Sequence, residues 1–289
     1  LRDDLPEQGM THPLHRREHR RVGPGRGPNG LADFAHAAEY SPVTRAIPWP
    51  DVDCSPEAMA RRVTRGSAEG GVIIEQPGRL RITTWPAGSA PRVAAPPFEG
   101  AWQVHVAVAE HVDVQGIAVG SARLGRFDAL VSPPWDPPTL LPGASVVEVA
   151  WRPDVDSRTP ATIARHAGRE PLRRWWPMRA IPSVFRDALG PRDLYPMVGP
   201  PRARVPYAVT GPDRLLVVVV HTPRGTGPAL HVHTESDEIF IALAGRFRVT
   251  WGDDGEHALD LDPLDGVAVP RGVNRTFTAL DDDAWLLPV

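Results

Sequence analysis

Apolar residues cluster in short runs along two stretches of the chain. At 80–85, 102–109, 112–119 and 146–151, and again at 215–221, 238–243, 246–251, 266–270 and 276–280, the runs are rich in β-branched or aromatic residues and are divided by Gly and Pro. Such runs predict short strands separated by turns. Three places predict short helices instead. Ser55-Pro56-Glu57 caps a run through about Arg65, and Thr159-Pro160 and Ser183 cap two more, the last ending at Gly190. Residues 5–30 mix Pro, Gly, Arg and His without a period, which predicts a solvated arm. Four segments follow: a flexible arm over 1–54, a β-module over 55–152, a connector with short helices over 153–193, and a second β-module over 194–289.

The two β-rich stretches are copies of one unit. At a constant offset of 137 residues, Pro86 falls on Pro223, Gly88 on Gly225, Pro91 on Pro228, Val112 on Val249, Leu124 on Leu261, Asp128 on Asp265 and Pro133 on Pro270. No gap is needed, and turn residues and strands match together, so two repeats of a single β-module are the economical reading.

Composition narrows the chemistry. The chain has 289 residues, 42% of them hydrophobic, and a net charge of −3, a balance that advertises neither a nucleic-acid nor a membrane partner. The longest apolar run, at 215–220, is far shorter than the roughly 20 residues of a membrane-spanning helix. No basic stretch leads into an apolar core near the N-terminus, so a cytoplasmic location is expected. Cys54 is the one cysteine, which excludes an internal disulfide framework and a Cys-rich zinc site. All 32 basic residues are arginine. Without lysine there is no Schiff base and no Gly-Lys-Ser/Thr phosphate loop, and no Gly-x-Ser-x-Gly elbow occurs.

One constellation carries chemistry. The second copy reads Gly225-(x5)-His231-x-His233-(x4)-Glu238-(x6)-Gly245. Alternate residues of a strand point the same way, so His231 and His233 share a face, and the polar turn 234–237 brings Glu238 back beside them. Two imidazoles and a carboxylate on one side of a metal leave other positions open, which suits Fe(II), with Mn, Ni, Zn or Co as substitutes. At the repeat offset the same positions in the first copy are Ala94, Pro96 and Ala101, which offer no side-chain ligand. Gln103 and His105 have ligand-face parity there but read as core residues, so the first module is expected to be structural. His221 and the tryptophans, including Trp102, Trp175, Trp176 and Trp251, read as strand-end and packing residues.

These residues resemble the first motif of the cupin superfamily, position for position. The second motif of that family has Gly-(x5)-Pro-x-Gly-(x2)-His-(x3)-Asn, and Leu264-Asp265-Gly266-Val267-Ala268-Val269-Pro270-Arg271-Gly272-Val273-Asn274-Arg275 occupies its frame. Pro270 and Gly272 match; Leu264, Arg275 and Ala279 stand where the family has Gly, His and Asn. The resemblance implies an all-β chain of two jelly-roll barrels (double-stranded β-helices), the N-terminal one degenerate, with a few short helices. It also implies one divalent metal, Fe(II) favoured, held by His231, His233 and Glu238. The implied activity is that of a metal-dependent cupin acting on a small anionic or aromatic molecule, with dioxygenase chemistry expected. A non-redox isomerase, lyase or cyclase and a non-catalytic ligand-binding cupin are the alternatives. The chain is then a monomeric pseudo-dimer or a homodimer. Arg275 cannot ligate a metal, because a guanidinium has no free lone pair. It is expected to fork onto an anionic substrate, with pairing to Glu238 as the competing arrangement and an outward-facing side chain as the third.

Overall fold

The computed structural model describes residues 71–76, 79–88, 90–153, 160–172, 191–201, 207–211 and 215–289. The expected arm over 1–54, the helices over 55–65 and 183–190, and Trp175 and Trp176 lie outside these residues. The described residues form twenty strands. The first half carries β1 (Gly71–Gln76), β2 (Leu80–Trp85), β3 (Arg92–Val93), β4 (Trp102–Ala107), β5 (His111–Gly116), β6 (Gly120–Gly125), β7 (Ala129–Ser132), β8 (Thr139–Leu140), β9 (Val146–Trp151) and β10 (Thr162–Ala164). The second carries β11 (Asp193–Gly199), β12 (Val209–Thr210), β13 (Val217–Thr222), β14 (His231–Val232), β15 (Glu238–Ala244), β16 (Phe247–Trp251), β17 (His257–Leu261), β18 (Gly266–Val269), β19 (Asn274–Ala279) and β20 (Ala284–Pro288). Among the described residues no helix is long and apolar enough to cross a membrane.

Each half pairs a six-stranded with a four-stranded sheet. The orders are β1-β2-β9-β4-β7-β10 with β3-β8-β5-β6, and β12-β11-β13-β20-β15-β18 with β14-β19-β16-β17. The run β2-β9-β4-β7 repeats as β13-β20-β15-β18, and β3-β8-β5-β6 repeats as β14-β19-β16-β17. The fold is thus two barrels of one topology, as the internal repeat predicts.

The symmetry extends to backbone detail. Phe127 and Leu264, which the repeat places on one another, are the two non-glycine residues at positive φ among the described residues, at 66° and 69°. A left-handed conformation costs a β-carbon-bearing residue about 1–2 kcal/mol. The turn holds it through the aspartate that follows. Asp128 accepts from the Gly125 amide at 3.0 Å, and Asp265 accepts from the Asp262 amide at 3.0 Å. Leu264 therefore stands where the cupin motif has glycine while keeping glycine's backbone angle.

Alternation along the strands sorts residues between two kinds of core. In β15, Ile239, Ile241 and Leu243 point to a core shared by both halves, whereas Phe240 and Ala242 point into the second barrel. In β4, Trp102, Val104 and Val106 enter the shared core and Ala107 the first barrel. The shared core joins Val131, Val147 and Val149 of the first half to Met197, Val217, Val219 and Leu287 of the second. An aromatic seam continues it: the Phe127 ring lies 4.6 Å from that of Trp285, and the His166 ring 4.5 Å from that of Tyr195.

One expectation fails. The helix expected from Thr159-Pro160 is absent, because Thr162–Ala164 is strand β10, paired antiparallel with β7. Thr162 and Ile163 are β-branched and sit opposite Val131 and Leu130, so the segment covers a sheet edge that a helix would leave unpaired.

Asp128 ties this seam together, accepting also from the His166 amide at 2.6 Å and Arg165 Nη1 at 2.8 Å. Asp128→Ala should cost about 1–3 kcal/mol, read as a lower denaturant midpoint, because buried amides lose their acceptor. A fragment beginning at Pro191 bares its half of the shared core and should dimerise or aggregate in size-exclusion chromatography; a well-behaved monomer would contradict the packing role assigned to that core.

Candidate metal centre

Strands β14 and β19 build the site from its edge. They pair antiparallel, with His231 opposite Arg275 and Val232 opposite Asn274. The alternation turns Val232 outward, 41% exposed, and sets the two histidine rings together with centroids 5.1 Å apart. The chain then turns, and Glu238 opens β15 opposite Val269. His231, His233 and Glu238 each present a ligand atom, all within 4.8 Å of one another.

The side-chain contacts prepare these atoms for a cation. His231 Nδ1 lies 2.8 Å from the Ala229 carbonyl, to which it can only donate, so its Nε2 carries the lone pair. His233 Nδ1 lies 3.2 Å from Ser236 Oγ, leaving its Nε2 3.8 Å from Glu238 Oε2. That oxygen is buried without a hydrogen-bond partner. An orphaned carboxylate oxygen among neutral imidazoles fits a divalent metal, and the donor set is the one expected for Fe(II), Mn, Ni, Zn or Co.

Arg275 is fully buried, 0% exposed, with its Nε 3.3 Å from Glu238 Oε2. Its terminal nitrogens donate to backbone: Nη1 to the Val273 carbonyl at 2.9 Å, and Nη2 to the Val269 and Pro270 carbonyls at 3.4 Å each. The loop so anchored reaches back to the ligand segment. The Gly272 amide donates to the His233 carbonyl at 2.7 Å, and the Arg271 amide to Asp237 Oδ1 at 3.0 Å. The guanidinium lies beside Glu238 as an ion pair, without the hydrogen-bonded fork expected onto a carboxylate. It faces inward, and its fork holds carbonyls.

Burial dominates the electrostatics. It pushes His233 down to about 3, with Arg275 and His231 adding to the effect. It lowers His231 as well, against the Ala229 hydrogen bond. Glu238 is pushed up to about 7 by burial, against the pull of Arg275 and Arg192. Sequence reasoning passed over Arg192, whose guanidinium lies 5.4 Å from the Phe277 ring and is lowered to about 10 by burial. A lone arginine between Pro191 and Asp193 carries no periodic signal that marks it as buried.

The first barrel lacks this centre. Ala94 and Pro138, joined by an amide-to-carbonyl bond of 2.9 Å, hold the places of His231 and Arg275. Ala101 matches Glu238 by sequence offset, but by strand register it is Gln103, opposite Ser132, that matches Glu238 opposite Val269. Deeper in that barrel His105 Nε2 meets Glu148 Oε2 at 3.1 Å, both buried. His221 lies away from the centre, its ring 4.7 Å from that of Trp285 and its Nε2 3.6 Å from Asp283 Oδ1.

Comparison with known proteins agrees on the fold. No family model and no curated protein matches the sequence. Among solved structures, a protein from Pseudomonas aeruginosa named "Putative Glyoxylate Induced Protein" superimposes with a TM-score of 0.52 at 12% identity, over 76% of this chain and 78% of that one. The likeness is one of fold, two β-barrel modules of one topology. Weaker likenesses are to a cupin 2 conserved barrel domain protein from Leptotrichia buccalis (TM-score 0.45, 10% identity, 78% of this chain and 87% of that one) and to oxalate decarboxylase from Lactobacillus farciminis (TM-score 0.49, 12% identity, 78% and 84%).

A metal entering this centre would have to displace the proton from Glu238, so affinity should depend on pH. Below about 7 the carboxyl is mostly protonated, and apparent affinity should fall by up to about tenfold per pH unit; above it the curve should level. His233, neutral above about 3, adds no slope in this window. Chelator competition between pH 5.5 and 8.5 measures the slope, which Glu238→Gln should abolish.

Proposed function

We propose that this protein is a bicupin and a metal-dependent enzyme whose second barrel works on a small organic molecule, most simply as an Fe(II) dioxygenase. The observation that carries the reading is the buried Glu238 Oε2, ion-paired with Arg275 but accepting no hydrogen bond, facing two imidazoles whose Nδ1 atoms are already occupied. His231, His233 and Glu238 would hold the metal with coordination positions to spare, and Fe(II) bound there would supply the redox chemistry that dioxygen activation needs. The chain's own part is positional. Ala229 and Ser236 fix the two rings, and Arg275 and the loop 269–273 hold Glu238 in place.

The substrate expected is a small anionic or aromatic molecule, and the guanidiniums of Arg275 and Arg192 that act on Glu238 favour an anionic one. The Ala94, Pro96 and Gln103 positions leave the first barrel to cover the shared core, so a single metal per chain is expected. In this reading the protein works in the cytoplasm as a monomeric pseudo-dimer or a homodimer, without nucleic acid or membrane.

Protein purified without an affinity tag should carry one equivalent of metal. His231→Ala, His233→Ala and Glu238→Ala should each lose most of it while keeping the circular dichroism of the native barrels. Unchanged metal content in His231→Ala would refute the ligand set. Screening aromatic and carboxylate substrates with an oxygen electrode then separates the chemistries. Substrate-dependent oxygen consumption supports the dioxygenase, and turnover under argon assigns a non-redox isomerase or lyase instead.

A further inference from the structure

We infer that Arg275 makes the metal-loaded centre a receptor for a small carboxylate, which enters as an added ligand and balances the guanidinium. The inference rests on the metal reading of His231, His233 and Glu238 and deepens it to a ligand class.

Cross-strand register fixes Arg275 directly beside His231, and the side chain is wholly buried. Its Nη atoms are committed to the carbonyls of Val269, Pro270 and Val273, so the head cannot swing out to water. Its Nε lies 3.3 Å from Glu238 Oε2, yet neither atom has a hydrogen-bond partner. The two groups therefore meet as charges across a gap, and the carboxylate keeps its lone pairs for a cation.

Charge counting gives the consequence. The two imidazoles are neutral, and the single negative charge of Glu238 is offset by the single positive charge of Arg275. A divalent cation among them leaves two positive charges uncompensated, where an imidazole in place of Arg275 would leave one. The next charged groups acting on this pair, Arg192 on Glu238 and Asp237 on Arg275, are opposite in sign and do not change the count. Uncompensated charge among largely buried ligand side chains is costly, and a guanidinium donates no lone pair, so a coordination position stays open beside the excess charge. A small anionic oxygen ligand satisfies both needs, whereas a neutral ligand of the same shape satisfies one.

The test uses the full chain loaded with Co(II), whose visible absorption reports ligand entry. Acetate and its neutral isostere acetamide are titrated at constant ionic strength. The wild-type protein should respond to acetate at a concentration about tenfold or more below that needed for acetamide, as expected for a fixed charge a few ångströms away. Arg275→Gln should reduce that preference to about threefold or less and bind Co(II) about tenfold more tightly in chelator competition. Arg275→His, which adds an imidazole, should tighten Co(II) binding further and weaken acetate entry. Equal responses to acetate and acetamide in the wild type, or a preference that survives in Arg275→Gln, overturns the inference while leaving the metal site intact. Absence of stoichiometric Co(II) in the wild type overturns the metal reading itself, and the inference with it. If Arg275→Gln does not fold, the comparison of wild type with Arg275→His decides, and a preference for acetate that is undiminished in Arg275→His overturns the inference.

Discussion

Burial of the six-stranded sheets on both faces is the constraint on which the rest of the molecule depends. Every residue of β4 and β9 is buried, and so is every residue of β7 and β18. A barrel standing alone would show water one face of such strands, and alternation would then put polar residues on it. Here alternate residues serve a barrel interior and a core shared between halves, so neither set faces water, and along 239–243 of β15 both are apolar. Ile239 and Phe240, or Val106 and Ala107, are adjacent demands of two different cores on one strand. Two barrels pressed together thereby gain a core that neither copy supplies alone, and the four-stranded sheets, with their polar faces, are left to carry the exposed ion pairs Arg123–Asp113 and Arg248–Asp260.

That division of labour let the copies diverge at the mouth without loss of the fold. The turn 125–128 and the turn 262–265 keep the same hydrogen bonds and the same left-handed residue, because both hold a strand of the shared core in register. The mouth carries no such duty. Alanines and prolines fill it in the first barrel, and imidazoles and a carboxylate in the second. The first barrel has its own polar interior one step deeper, with Gln103, His105, Ser132 and Glu148 all buried. A polar pair such as His105 and Glu148 is tolerated there because each satisfies the other, where β15 and β20 of the second barrel place Phe240, Ala242 and Leu286.

Much of this was legible in the chain because strands write their periodicity and turns their glycines locally. The offset of 137 maps β2 onto β13 and β7 onto β18 residue for residue. The ligand trio was legible for the same reason, since His-x-His on a strand and a glutamate after a polar turn leave few ways to point. Three features were not. Thr159-Pro160 has the local form of a helix cap, but the bare edge of β7 decides that the residues after it pair as a strand. The match of Gln103 rather than Ala101 to Glu238 is a two-residue difference in how β4 pairs with β7 and β15 with β18, which the linear repeat does not carry. The burial of Arg192 depends on packing against Phe277, a contact 85 residues away in sequence that no window along the chain contains.

Arg275 shows how a charge can be kept in a barrel core. A buried guanidinium with no acceptors would be expelled or would break the fold. This one is met by three carbonyls of the loop 269–273, and the same loop gives its amides at Arg271 and Gly272 to Asp237 and the His233 carbonyl. The circuit is closed: the segment bearing the ligands holds the loop, the loop holds the arginine, and the arginine faces the third ligand. Each member is fixed by groups outside the metal centre, so the ligand atoms are arranged before any cation arrives. Pre-organisation of that kind lowers the entropic cost of loading a metal, while the guanidinium's charge raises its electrostatic cost. The two effects oppose each other at Glu238, whose carboxyl is drawn toward neutrality by burial and toward ionisation by Arg275. The balance at that one carboxyl would set how firmly the second barrel holds a cation.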